Sequence, residues 1–172
     1  AASAAETAAP AATHLDASNL EWDEAAEVAV SLRDGGSTGG PGVTVTGDVV
    51  TISAAGTYRL SGSLSDGQLA VDTEADGVVR LVVDGVDVAS ATGAALAVLE
   101  ADEVVVILVA GSQNSLADAA TYQFAGADVD EPNAALFSTA DLAIGGDGSL
   151  TVTGSYNDGI ASKDGLVIAG GT

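Results

Sequence analysis

Near the end of the chain one pattern is written twice. "LFSTADLAIGGDG" (136–148) and "IASKDGLVIAGGT" (160–172) align without a gap at an offset of 24 residues, with Ser138/Ser162, Leu142/Leu166, Ile144/Ile168 and Gly146/Gly170 identical. Leu136/Ile160 and Ala143/Val167 are near-equivalents. Looser relatives begin at Leu69 ("LAVDTEADGVVRLVVDGVDV") and Leu96 ("LAVLEADEVVVILVAGSQNSL"), 27 residues apart. A period in the twenties, built from short apolar runs with no helical periodicity, predicts a solenoid whose coils stack strand upon strand. A single coil cannot bury its own apolar face. Each inward Val, Leu or Ile stabilises by about 1.5 to 3 kcal/mol only once a neighbouring coil covers it.

Composition agrees with that expectation. Hydrophobic residues make up 47% of the 172-residue chain but aromatics only 3%, so the interior is built from small and β-branched side chains. With no cysteine, neither disulfides nor a thiolate metal site holds the fold. Residues 1–19, "AASAAETAAPAATHLDASN", lack apolar bulk and read as a disordered leader of the kind that follows a removed export signal. Residues 20–172 read as one domain. Within it, 20–66 form an N-terminal β cap with hairpin-like signals at Gly47-Asp48 and Ala55-Gly56, and 67–172 form the coils. No cap follows Thr172, so the expectation is a C-terminally truncated piece of a longer array. No run is apolar and long enough to span a bilayer.

Four Lys+Arg against 25 Asp+Glu give a net charge of −21. Nucleic acid is thereby excluded as a partner, since its phosphates call for a basic surface. Two carboxylates about 5 Å apart repel by roughly 3 kcal/mol at an effective dielectric near 20, so a tight acidic cluster calls for a cation. Two segments qualify. Asn157, Asp158 and Asp164 flank Lys163 in "YNDGIASKDGL", and Asp128, Asp130 and Glu131 crowd "ADVDEPNAALF". Asp and Asn supply the oxygens that Ca2+ requires, while Asn-Asp-Gly and Asp-Gly equally serve as turn chemistry and the second segment as a solvated acidic loop. The second segment is no EF-hand, because Asn133 stands where that loop needs Gly and Thr139 where it needs Glu. "GGDGSLTVT" departs from the calcium β-roll nonapeptide at Leu150. The one histidine, His14, lies in the leader, which argues against a serine triad around Ser37 in "GGSTG".

Sugar rings stack on flat aromatic faces through their apolar C–H surfaces. Tyr122 and Tyr156 are the candidates, with Lys163 as a polar neighbour, whereas Trp22, Tyr58, Phe124 and Phe137 read as packing residues.

The blocks "LEWDEAAEVAVSLRDGGS", "GTYRLSGSLSDGQLAVDTEADGVVRLVVDGVDV" and "DEPNAALFSTADLAIGGDGSLTVTGSYNDGIASKDGLVIAGGT" resemble the bacterial secreted carbohydrate-binding domain family, with "YNDGIASKDGL" the most specific element. The resemblance implies a calcium-containing, pectate-lyase-like right-handed parallel β-helix. It also implies a secreted or cell-surface location, lipid anchorage included, and binding of polygalacturonate or cellulose-like polysaccharide. Two alternatives stand beside non-catalytic binding. One is a polysaccharide lyase, which needs a base such as Lys163 with a strongly lowered pKa; the other is a structural stalk or adhesin.

Overall fold

Val, Leu and Ile in short extended runs, broken by Asp-Gly and Gly-Gly pairs, leave no stretch in which a long helix can form. The computed structural model describes residues 16–172 and is all-β, with only two single-turn 3-10 helices, Ala17–Leu20 and Glu24–Ala26. The strands are β1 (Glu27–Arg33), β2 (Val43–Thr46), β3 (Val49–Ile52), β4 (Gly56–Leu64), β5 (Gln68–Asp72), β6 (Val78–Ala89) and β7 (Leu96–Glu100). They continue as β8 (Glu103–Leu108), β9 (Gln113–Ala117), β10 (Ala134–Ser138), β11 (Asp141–Gly146), β12 (Ser149–Thr153), β13 (Asp158–Ser162) and β14 (Leu166–Ile168).

From β4 onward the chain passes back and forth between two sheets. One runs β1-β4-β6-β8-β11-β14, with β9 and β12 beside it; the other runs β13-β10-β7-β5-β3-β2. Every named pair is parallel except β2 with β3. The sequence repeat is the register of these sheets. Leu136 pairs Ile160 and Ser138 pairs Ser162, Leu142 pairs Leu166 and Ile144 pairs Ile168, and Leu96 stands between Leu69 and Leu136. Each sequence repeat is therefore one layer, and like side chains stack on like. The core between the sheets is a column of such residues, among them Leu60, Leu81, Val106, Leu136 and Leu142.

Residues 20–66 contribute strands to the same two sheets. The hairpin expected at Gly47-Asp48 is the β2–β3 pair. The break at Ala55-Gly56 is a crossing between sheets instead, because β4 pairs in parallel with β1 and β6. Alternation alone cannot separate these outcomes, since a polar turn looks the same whether the next strand reverses or moves to the opposite sheet. Of the leader, residues 1–15 lie outside those described; Ala17–Leu20 form the first 3-10 turn, in which Asp16 Oδ1 accepts from the Ser18 amide at 2.9 Å.

Several carboxylates work within the fold by tying one layer's turn to the next. Asp34 accepts from the Ser65 amide at 2.8 Å, Asp66 from Ala91 at 2.9 Å, Asp102 from Gly77 at 3.0 Å and Asp141 from Gly165 at 2.9 Å. The Ser65 hydroxyl and amide hold Asp34 below the usual carboxylate range. Part of the chain's acidity is thus turn chemistry that satisfies backbone donors left outside the ladders.

Candidate functional site

The segment between β9 and β10 is the longest interruption of the layered pattern. It leaves the stack at Asp118, which is buried, as is Tyr122 at 8% exposure. The Tyr122 hydroxyl donates to Asp118 Oδ2 at 2.7 Å, and Asp118 Oδ1 accepts from the Ser155 amide in the turn between β12 and β13. One carboxylate therefore joins the inserted segment to the next layer. Burial, reinforced by the Asp118 hydrogen bond, pushes the Tyr122 phenol far above its ordinary value.

That tie brings three aromatic rings together. Tyr156 stacks on Tyr122 with centroids 4.4 Å apart and planes 22° from parallel, and Phe124 meets the pair at 5.8 Å and 6.1 Å. Tyr156 remains 43% exposed, so the stack presents an open flat aromatic surface backed by a buried ring. Beside it lies a cleft of about 300 Å³ lined by Tyr122, Phe124, Leu99, Gln68, Gln123 and Glu131. Gln68 is fixed by a hydrogen bond from its Nε2 to the Ala94 carbonyl at 2.9 Å. An apolar floor with a few amide and carboxylate groups at its edge suits a sugar ring, whose faces are apolar and whose perimeter is hydroxyl.

Lys163, in the turn between β13 and β14, pairs with Glu131 of the inserted segment. Glu131, with a smaller contribution from Asp130, holds the ammonium above the usual lysine range. The structure thus brings Tyr122 and Tyr156 together, and Lys163 and Glu131 together. It leaves the remaining acidic candidates apart: Asp128 and Asp130 are exposed in the inserted segment, Asp158 takes a hydrogen bond from Asn157 Nδ2 at 2.9 Å, and Asp164 is exposed in its turn. Among the described residues no group of three or more His, Cys, Asp or Glu side chains assembles as a metal site. As placed, these side chains do not form the oxygen cage that calcium takes.

Sequence reasoning assigns Phe124 to packing and passes over Asp118, Gln68, Gln123 and Leu99. Gln68 and Leu99 belong to β5 and β7, ordinary coil strands, and no local pattern shows that the insertion beginning at Asp118, later in the chain than both, folds against them. Asp118, four residues ahead of Tyr122, has no motif that marks it as a tie.

The model of the carbohydrate-binding domain-containing protein family matches residues 46–172. A carbohydrate-binding domain-containing protein of Acetivibrio thermocellus is 36% identical over 130 residues, which cover 76% of this chain and 46% of that protein. The chain therefore spans about half the length of this relative. The solved structure of the polysaccharide lyase-like protein from C. thermocellum, as its gadolinium derivative, matches with a TM-score of 0.79 at 32% identity, covering 86% of this chain and 59% of that one.

Proposed function

Since the chain belongs to the carbohydrate-binding domain-containing protein family, we propose that it is a non-catalytic polysaccharide-binding module whose ligand lies along the Tyr156–Tyr122 stack and the adjoining cleft. The observation that carries this reading is the stack itself. One ring is locked by Asp118 and the other is left open to solvent, so a flat platform is presented with little conformational entropy left to lose on binding.

A neutral, β-linked glucan fits best. Its equatorial hydroxyls leave broad apolar faces for stacking, and the one lysine at the site is already paired with Glu131. An anionic polyuronate meets a surface of net charge −21, and on this reading it binds only when Ca2+ bridges protein and sugar carboxylates. Layers one repeat apart support a parallel β-helix, and the strong right-handed preference of parallel crossovers supports its handedness. An extracellular or cell-surface location goes with such a ligand.

The test is retention on insoluble β-glucan and on polygalacturonate, with and without a chelator, for the parent chain and Tyr156→Ala. The expected result is glucan retention that survives chelation and falls about tenfold in Tyr156→Ala, the loss of roughly one aromatic contact. Polygalacturonate retention is expected only with Ca2+. Glucan retention unchanged in Tyr156→Ala refutes the platform.

The polysaccharide lyase-like protein of similar structure motivates a second reading, elimination from a uronate. That chemistry needs a base that is free of its proton, whereas the Glu131 carboxylate keeps Lys163 protonated. Absence of unsaturated products by ultraviolet absorbance is the expected outcome.

A further inference from the structure

The outer face of the first sheet carries an apolar patch separate from the core, made by Val82, Val105, Ile107 and Ala143. Leu20 and Trp22, from the segment ahead of β1, pack on it together with Val78 and Val109 and bury it. Between this segment and the β11–β12 turn lies a cleft of about 360 Å³, lined by Trp22, Ile107, Val109, Arg59, Glu24 and Asp147. It is remote in lining from the Tyr122 cleft, with which it shares no residue.

We propose that this cleft is a second sugar site, in which one pyranose ring of a neutral β-glucan rests on Trp22 and the partly exposed side chains of Leu20 and Val109. The ligand class rests on the glycan-binding reading above; the site itself rests on its own geometry. The indole is held in place: Trp22 Nε1–H donates to Glu27 Oε1 at 2.7 Å, and that same oxygen accepts from Arg59 Nη1 at 3.0 Å. Arg59 Nη2 in turn donates to Asp84 Oδ2 at 2.9 Å. A tryptophan packed on the sheet on one side, partly exposed on the cleft side and anchored through its N–H is already ordered, which removes much of the ordering cost of binding.

The charge around the cleft sets the ligand's charge. Arg59 already serves two carboxylates, so it adds hydrogen-bonding capacity without an unbalanced positive charge. Glu24 and Asp147, both exposed on the rim, accept hydrogen bonds from hydroxyls and repel a uronate. Two sugar sites with separate linings make the module bivalent, so retention on a fibre exceeds the affinity of either site for a short oligosaccharide.

Trp22 is the single tryptophan of the chain, so intrinsic fluorescence reports on this cleft alone. The experiment titrates the full chain with cellohexaose and, in parallel, with a galacturonate oligomer. A saturable change of tryptophan emission with cellohexaose and none with the galacturonate oligomer is expected. The change persists in Tyr156→Ala and weakens roughly tenfold in affinity in Asp147→Ala, a rim substitution that leaves Trp22 and its anchor in place. On insoluble β-glucan, Trp22→Phe and Tyr156→Ala each reduce retention, and the double variant loses more than either. Emission that stays flat with cellohexaose, or responds equally in Asp147→Ala, overturns the second site. If emission stays flat while Tyr156→Ala still abolishes retention, the Tyr156 platform stands and only the Trp22 site falls.

Discussion

Asp118 and Tyr122 are both buried, and the carboxylate that accepts the Tyr122 hydroxyl at 2.7 Å also accepts the Ser155 amide. The inserted segment is thus anchored to the turn that carries Tyr156. Asp118→Ala leaves a buried hydroxyl and a backbone amide without partners, at a cost of about 1 to 3 kcal/mol each. For a domain of this size a loss of about 3 kcal/mol lowers Tm by roughly 6 to 12 °C, measured by thermal denaturation. Because the same bond holds the ring beneath Tyr156, glucan retention should fall as well, even at temperatures where the variant remains folded.

Alkaline pH acts on the same bond and on one other. The Tyr58 hydroxyl donates to the Ala54 carbonyl at 2.9 Å in a buried setting, and burial raises its pKa; burial and Asp118 raise that of Tyr122 much further. In the unfolded chain both phenols titrate near ~10. Folded values above the unfolded ones mean that the native state keeps protons that the unfolded state gives up. The stabilisation is therefore fully present below pH ~10 and is lost as pH rises through the folded values, with a slope of up to about 1.4 kcal/mol per pH unit for each tyrosine. Urea unfolding at a series of alkaline pH values should show this decline. Tyr58→Phe should flatten part of it.

How much of this was readable in advance follows from the geometry of parallel stacking. In-register layers turn a sequence offset into a spatial neighbour, so the likeness of Leu136 to Ile160, and of Ser138 to Ser162, is the pairing itself. The repeated serines also converge on one acceptor: Ser138 donates to the Ala140 carbonyl of its own layer at 2.8 Å, and Ser162 reaches back to the same carbonyl from the next layer at 3.1 Å. The outer patch was not readable. Val82, Val105 and Ile107 sit inside near-continuous apolar runs, in which outward and inward residues look alike, so nothing in the pattern marks the face that Trp22 covers. Tyr122 and Tyr156 were legible as aromatics in irregular segments, but their stacking depends on Asp118 reaching across layers.

Asn114 joins three layers at once and is only 4% exposed. Its Oδ1 accepts from the Gly85 and Val86 amides at 3.0 and 2.9 Å, while its Nδ2 donates to the Ser149 carbonyl at 3.0 Å and to Ser112 Oγ at 2.9 Å. Asn114→Ala strips two amides and a carbonyl of this partner, so a loss of roughly 3 to 5 kcal/mol is expected in urea unfolding. Asn114→Asp keeps the acceptor but turns a second oxygen toward the Ser149 carbonyl. Its ionised form is disfavoured there, which raises its folded pKa, so this variant should be less impaired near pH ~4 than at neutrality.

Gly62, inside β4, and Gly146, the last residue of β11, both have a left-handed backbone, with φ of +100° and +104°. A Cβ on Gly62 would stand 2.3 Å from the Leu32 carbonyl oxygen, and one on Gly146 2.3 Å from that of Leu108. Both obstacles are backbone atoms of the neighbouring layer, which cannot rotate aside as a side chain can. At Gly62 the pairing with β6 also shifts register, so the left-handed backbone bends the strand and brings it against its neighbour. Either Gly→Ala change combines a disfavoured backbone conformation with overpacking, costing about 3 kcal/mol or more. The two differ in what they disturb. Gly146 lines the Trp22 cleft, so Gly146→Ala should lower Tm and alter tryptophan emission, whereas Gly62→Ala should lower Tm by a similar amount and leave the emission of the folded protein unchanged. Paired thermal and fluorescence measurements check this, and a Gly62→Ala protein with the parent Tm would show that the layers can part where the geometry holds them together.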